Sequence, residues 1–263
     1  MSFNGKKEKR SPLKDKPLHN PGESLQQEIN RLLYEDLAPH VYQIIFVIII
    51  VAWEWWRAYW KTPPQPVLMT IFGILFGGYS IYKIVVYFPQ LRNLWLGAEG
   101  EKLVGQELNL LQGRDGYHVF HDIPSKDFNV DHVIISNRGI YLIETKTFSK
   151  SIRGNPKITY DGEQILVDGQ RPERDPIRQA LALRQWLIKL LEDRTSRRFP
   201  VRAVIVFPGW FVEKTKPTKR DDLWVLNPKG VPKFIENEPV LLKPEDVALA
   251  SFTLSSYIQK YDE

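Results

Sequence analysis

The chain has 263 residues, with 36 Lys and Arg, 31 Asp and Glu, and no Cys. The lack of Cys excludes disulfides and cysteine-ligated metal sites, and it fits a reducing compartment. The net charge of +5 is uneven, since residues 1–96 carry +4 and residues 97–263 carry +1. Because the C-terminal region is nearly neutral, the overall basicity is no evidence that this region binds nucleic acid.

The N-terminal unit, residues 1–36, is polar. Residues 1–22 contain six Lys and Arg, several Pro and Gly, and almost no apolar side chains. This composition predicts a disordered basic tail, because such a segment cannot bury enough apolar surface to fold. Residues 23–36 have the pattern of a short polar helix.

Two apolar segments follow, at 41–60 and 66–88. The second has no charge over its first 17 residues, and its 23 residues make about 34 Å of helix, enough for the roughly 30 Å hydrocarbon layer. The first spans that layer only if the Trp-rich stretch 54–60 is included, with Glu54 near the interface. We predict a membrane hairpin over 37–92 whose second helix ends at Phe88. A pair of buried core helices is the alternative.

The orientation of this hairpin follows from the basic tail. Lys and Arg are retained on the cytoplasmic side of a membrane. Two passes return the chain to the side on which it started, so we expect the C-terminal domain to face the cytoplasm as well. The predicted partner of the hairpin is the lipid bilayer.

From residue 97 onward the pattern indicates a mixed α/β domain, residues 97–263. It predicts a helix at 98–112, strands near 117–122, 131–136 and 140–146, and a polar hairpin at 157–168. A helix begins at Asp175-Pro176, where an N-cap residue is followed by Pro. We expect strands at 201–207 and 223–226 and a final helix near 244–260.

Residues 130–147, VDHVIISNRGIYLIETKT, predict a β-hairpin turning at Asn137-Arg138-Gly139. Side chains alternate along a strand, so Glu144 and Lys146 share one face. Asp131 joins that face only if the turn keeps an even register, for example with residue 135 paired with residue 140.

In that register two carboxylates and an ammonium converge at one end of the hairpin. Two close carboxylates repel each other unless a proton or a cation lies between them. Mg²⁺ favours one or two carboxylates, several waters and a phosphate, and it can activate water and neutralise phosphoryl charge. Lys146 could orient that water or stabilise the developing charge. This chemistry fits phosphodiester hydrolysis with Mg²⁺ or Mn²⁺.

Two helical residues support the hairpin site. Glu101 falls on the apolar stripe formed by Val104, Leu108 and Leu111, so its carboxylate points inward and needs a partner. Gln179 similarly shares a face with Leu183, Trp186 and Leu190. The alternatives are a first-turn Glu that favours the helix dipole and an amide that caps or satisfies the core.

Residues 97–146 and 175–179 resemble the nuclease-related domain (NERD) family, a branch of the restriction-endonuclease-like PD-(D/E)xK superfamily. The matching segments are GAEGE (97–101), NVDHVII (129–135), GIYLIETK (139–146) and DPIRQ (175–179). The resemblance implies a central mixed sheet flanked by helices, over about 97–262. It implies metal binding by Asp131 and Glu144, catalysis by Lys146, and supporting roles for Glu101, a third acid at the metal, and Gln179. The family more often has Asn-Pro where this chain has Asp175-Pro176, and either residue can cap the helix.

Three hypotheses about function are compatible with the sequence. The first is a membrane-anchored, metal-dependent nuclease acting on DNA or RNA. The second is a catalytically inactive binding or scaffold module of the same fold, which the near-neutral charge of 97–263 favours. In the third, the membrane hairpin has the main role. The loop KTKPTKR (214–220) could contact phosphates or lipid headgroups, and we interpret it as solvated; His118, His121 and His132 are interpreted as ordinary strand residues.

Overall fold

The computed structural model describes residues 18–60, 65–112, 114, 116–150, 156–216 and 220–261. The predicted disordered tail lies outside these residues up to position 17, as does most of the link between the two apolar segments. The N-terminal part is helical: α1 (Glu23–Arg31), a π-helical turn (Leu32–Leu37), α2 (Ala38–Tyr59) and α3 (Pro66–Gln112).

Helix α3 is continuous over 47 residues and contains Pro89. The helix predicted at 98–112 is therefore confirmed as the C-terminal part of α3, whereas the predicted end at Phe88 is wrong, because the two segments form one continuous helix. A Pro inside a helix costs roughly 3 kcal/mol, but here both sides of Pro89 are held by tertiary packing. Leu91 and Ala98 lie in one apolar cluster with Ile29, Leu32 and Leu37 of the preceding segment, so burial of this cluster offsets the loss.

Helices α2 and α3 pack against each other through a small residue and a polar pair. A methyl group on Gly73 would lie 2.9 Å from Val51 Cγ2, so only Gly allows this approach. Ser80 Oγ donates to Gln43 Oε1 at 3.0 Å across the pair. Most other apolar side chains of the two helices are exposed, unlike those of a core helix in a soluble protein. Both helices are long and apolar enough to cross a membrane.

The α/β domain contains two sheets. The strands of the first are β1 (His118–Pro124), β2 (Asn129–Ser136), β3 (Gly139–Thr145), β6 (Val201–Val206) and β8 (Leu223–Leu226), in the order β1-β2-β3-β6-β8. The second is made by β4 (Ile158–Tyr160), β5 (Ile165–Val167) and β7 (Val212–Lys214), in the order β5-β4-β7. Strands β1, β2 and β3 are antiparallel, whereas β6 runs parallel to β3 and β8 runs parallel to β6.

Helices cover both faces of the five-stranded sheet. Helices α4 (Pro176–Thr195) and α6 (Pro244–Tyr261) cover one face, and α3 and α5 (Val231–Glu236) cover the other. Within β3, Ile140 and Leu142 join the α4 side while Tyr141 and Ile143 join the α3 side, as strand alternation requires. The mixed sheet flanked by helices confirms the predicted fold class. Strand β7 and helix α5 are short and were missed.

The chain before α1 packs on the domain. We call residues 18–24 the N-terminal strap. Pro21 lies against Gly105 of α3, where a methyl group would collide with the proline ring. Ser24 donates its backbone N–H and its hydroxyl to the Asp122 carboxylate, at 2.6 and 2.7 Å. For residues 18–22, the prediction of a disordered tail is wrong, because these contacts to distant parts of the chain hold them.

Candidate active site

Asp131 and Glu144 face each other at the open end of the β2–β3 hairpin. Ile135 pairs with Ile140, which is the even register that brings the two carboxylates to one side of the sheet. Glu144 is buried, and Asp131 is partly exposed. The backbone N–H of Thr145 donates to Asp131 Oδ2 at 2.6 Å, which fixes that carboxylate against the end of β3.

Lys146 and Gln179 both contact Glu144. Lys146 Nζ donates to Glu144 Oε1 at 2.8 Å and to Gln179 Oε1 at 2.9 Å, and Gln179 Nε2 donates to Glu144 Oε1 at 2.6 Å. The amide is placed by the start of α4, where the Asp175 side chain accepts from Ile177 N at 2.9 Å. The result is a closed triangle of an acid, an amine and an amide.

The second carboxylate oxygen of Glu144 has no such partner. Glu144 Oε2 is buried, and the described residues supply no hydrogen bond to it. Leaving a buried charged oxygen unpaired costs about 1–3 kcal/mol or more, so such an atom requires an explanation. A cation or an ordered water reaching Oε2 would remove the penalty.

Glu101 approaches the same region from α3. The helix comes close because Gly100 has no side chain, since a methyl group there would collide with Thr147, just beyond β3. Burial raises the pKa of Glu101 to about 8, with further contributions from the negative charges of Asp122 and Glu144. The positive charge of Lys146 lowers the pKa of Glu101 and so opposes this rise. An acid with this pKa binds a proton at neutral pH unless a positive charge is added nearby.

The other two acids shift in the same direction. Burial raises the pKa of Asp131 well above its usual value, and the charges of Glu144 and Glu101 add to that rise. Burial also raises the pKa of Glu144, while Lys146 and Gln179 oppose the shift. Three acids therefore share one Lys, and the site lacks positive charge.

The described residues contain no group of three His, Cys, Asp or Glu close enough to enclose a metal ion.

Two buried histidines lie on the side of the sheet that faces α3, opposite to Asp131, and they form a hydrogen-bonded chain. His121 Nε2 donates to Asn109 Oδ1 at 2.9 Å, and His132 Nδ1 donates to His121 Nδ1 at 2.9 Å. The Thr145 hydroxyl then donates to His132 Nε2 at 3.5 Å. This assignment satisfies every contact with both rings neutral. Burial lowers the pKa of His121 to about 4 and that of His132 well below its usual value.

The sequence did not reveal this chain. Its residues come from α3, β1, β2 and β3, and no spacing in the sequence brings them together. Alternation along β2 places His132 opposite Ile143, on the α3 side of the sheet. A buried polar residue on that apolar face was the available signal, because buried polar groups need hydrogen-bond partners.

Asp122 is a second feature that the sequence analysis missed. Its backbone is left-handed, with φ of 49°, and its carboxylate is buried. Besides its two bonds from Ser24, it accepts from Asn129 Nδ2 at 3.0 Å, and its backbone oxygen lies 2.7 Å from His19 Nδ1. Asp122 thus ties the N-terminal strap to β1, next to Glu101.

Comparison with known proteins gives one match to a family. The model of the nuclease-related domain matches residues 96–208, a range that contains all five predicted site residues. This match confirms the resemblance drawn from the sequence for that part of the chain.

Two further proteins are similar to this chain, one over a short segment and one with a low structural similarity. An uncharacterized protein of Bacillus anthracis is 32% identical over 68 residues, which are 24% of this chain and 32% of that protein. The chain therefore spans about a third of the length of that curated relative. The structure of Pyrococcus furiosus SfsA in complex with Ca²⁺ covers 59% of this chain and 51% of that chain at 21% identity. Its TM-score of 0.22 is too low for the likeness to bear on the site.

Proposed function

We propose that this nuclease-related domain is a metal-dependent phosphodiesterase that hydrolyses nucleic acid and is anchored to a membrane by the hairpin of α2 and α3. The observation that carries the proposal is the buried, unpartnered Oε2 of Glu144 beside Asp131 and Lys146. Asp122, which is equally buried, has both oxygens paired. Other buried polar atoms lack partners, among them Glu54 Oε2, but Glu144 Oε2 lies beside two further acids, Asp131 and Glu101.

The donor set fits a hard divalent cation. Mg²⁺ and Mn²⁺ prefer oxygen ligands, and Mg²⁺ is usually held by one or two carboxylates while it keeps several waters. Asp131 and Glu144 would hold the ion, and Glu101 would accept a hydrogen bond from one of its waters. When bound, the ion supplies positive charge to phosphoryl oxygens and lowers the pKa of a bound water.

The remaining residues position groups around the phosphodiester. Lys146 uses two of its three N–H donors on Glu144 and Gln179, and the third is available for a phosphate oxygen or the attacking water. Gln179 fixes the ammonium and the carboxylate at once, so neither must reorganise during the reaction. The attacking water releases a proton to solvent as its oxygen bonds to phosphorus. The bond from phosphorus to the leaving oxygen breaks, and that oxygen takes up a proton from solvent.

The test is cleavage by the full chain in nanodiscs with labelled DNA or RNA and Mg²⁺ or Mn²⁺. The full chain is needed because the N-terminal strap contacts the domain beside Glu101. Glu144→Ala and Lys146→Ala should each lower the rate by about 10²–10³-fold. Glu213→Ala and Lys157→Ala are matched controls, because they break an exposed ion pair of 2.7 Å in the second sheet. Cleavage that survives both site changes would refute the proposal.

A second candidate is a non-catalytic binding module that keeps the fold. The near-neutral charge of residues 97–263 favours it, because proteins that bind duplex DNA usually present a basic face. Isothermal titration separates the two readings. An active site should bind Mn²⁺ in a way that Glu144→Gln abolishes, whereas an inactive module should show no Mn²⁺ binding that depends on its carboxylates.

A further inference from the structure

An exposed apolar region lies beside the candidate site. We call it the aromatic surface. Its exposed members are Leu103, Leu110, Phe211 and Phe234, and the buried Trp210, which is 3% exposed, lines it. Two cavities of about 600 and 480 Å³ adjoin there and share Trp210, Phe211 and Asn227 as lining residues. The Phe211 side chain is 69% exposed, and so is that of Leu110. Apolar side chains grouped in this way indicate a binding surface.

Lysine side chains lie close to the aromatic rings of this surface. Lys150 lies 5.2 Å from the centre of the Trp210 ring, and Lys214 lies 5.2 Å from that of Phe234. Lys229 lines the larger cavity, whereas Glu107 is the one acid among the described residues that line either cavity. Aromatic rings interleaved with cations suit a flexible polyanion that carries flat apolar groups.

The segment that carries the aromatic surface is attached to the strand end that carries the site. The backbone N–H of Lys146 donates at 2.9 Å to the carbonyl oxygen of Val206, the last residue of β6, and residues 208–211 begin two positions later. Trp210 Nε1 donates to Phe148 O at 3.3 Å, two residues beyond Lys146. These contacts attach the segment that carries Phe211 to the segment that carries Lys146.

We propose that the aromatic surface binds single-stranded nucleic acid, with a base stacked on Phe211 and phosphates near Lys150, Lys214 and Lys229. This inference rests on the proposed function, since it names the substrate class of the same site. A single strand has unpaired bases that can stack on a ring, while the bases of a duplex are stacked inside the helix. The near-neutral charge of 97–263 agrees with binding that depends on stacking more than on many phosphate contacts.

The test measures binding without cleavage. Full-length protein in nanodiscs of zwitterionic lipid is titrated, in EDTA, against fluorescently labelled oligo-dT and against a duplex of equal length. Phe211→Ala should weaken oligo-dT binding by about 10-fold, because stacking of one base contributes about 1–3 kcal/mol. Duplex binding should change less than about 2-fold. Phe252→Ala is the matched control, because Phe252 is 71% exposed on α6 and should leave both affinities unchanged.

A lysine variant provides a second, independent measurement. Lys229→Ala should lower oligo-dT affinity and reduce the slope of log affinity against log salt by about 0.7, the value for one phosphate contact with a single strand. Equal oligo-dT affinities for wild type and Phe211→Ala would overturn the inference, as would an equal loss for oligo-dT and duplex. Wild type that does not bind oligo-dT would also overturn it, and would leave a protein partner, a second copy or lipid as the occupant.

The two proposals fail in different ways. If wild type binds oligo-dT through Phe211 but does not cut it with Mg²⁺ or Mn²⁺, the proposed hydrolysis fails and the binding surface stands. If wild type cuts DNA or RNA and Phe211→Ala binds oligo-dT normally, the surface fails and the hydrolysis stands.

Discussion

Two carboxylates are buried near the same end of the central sheet, and the chain treats them differently. Asp122, at the N-terminal strap, accepts three hydrogen bonds on its two oxygens, from Ser24 and Asn129. Glu144, at the candidate site, has both of its bonds on Oε1 and none on Oε2. The two groups are equally buried, at 2% and 3% exposure. They differ in whether both carboxylate oxygens accept hydrogen bonds.

The difference separates a structural acid from a candidate functional one. A buried carboxylate with a full set of donors contributes to stability, because its desolvation is compensated. A buried carboxylate with a free oxygen, near two other acids, destabilises the metal-free fold and is retained where a cation or substrate supplies the missing partner. The same substitution should therefore have opposite effects on stability in the two regions.

The largest effect is expected at the strap. Asp122→Ala removes the acceptor for three hydrogen bonds and places Ala at φ of 49°, so we expect a loss of about 3 kcal/mol in the free energy of unfolding. Thermal melts in detergent, followed by tryptophan fluorescence, would measure it. Ser24→Ala alone should cost about 1 kcal/mol, and it should have almost no further effect when added to Asp122→Ala. Independent, additive losses would contradict the role assigned to this contact.

A smaller effect of opposite sign is expected at Glu101. Its pKa is about 8 in the folded protein and about 4.5 when unperturbed, so the folded state binds more protons between these values. The contribution of Glu101 to stability is therefore complete below pH 4.5 and is lost as the pH rises to 8. Glu101→Gln should remove this decline, so the metal-free variant should have a higher free energy of unfolding than wild type at pH 8. Melting curves in EDTA across pH 5–8 test this, and identical pH profiles for the variant and wild type would count against it.

Much of the domain could be predicted from the sequence because the local signals agree with the fold. Alternation and turn residues predicted the β2–β3 hairpin and its conditional register, and Asp175 with Pro176 marked the start of α4. Within these two elements the same signals turned Glu144 and Gln179 inward, and the two side chains contact each other both directly and through Lys146. Each of these predictions rests on residues close together in the chain.

The wrong predictions concern contacts between distant residues. The N-terminal strap looked like part of a polar tail, because its partners Gly105 and Asp122 lie about 80–100 residues away. The second apolar segment was ended at Phe88, whereas helix α3 continues through Pro89 because packing on Ile29 and Leu32 overrides the low helix propensity of Pro. The histidine chain was missed because its members also lie far apart in the sequence, in α3, β1, β2 and β3.

Metal-dependent stabilisation tests the central claim most directly. In a thermal melt at pH 7.5, 10 mM Mg²⁺ should raise the midpoint of wild type by about 2–4 °C relative to EDTA, as expected for a site of roughly millimolar affinity. The shift should persist in the control Glu213→Gln. Glu144→Gln and Asp131→Asn should melt at or above wild type in EDTA and should not shift with Mg²⁺. A full Mg²⁺ shift in Glu144→Gln would contradict the account.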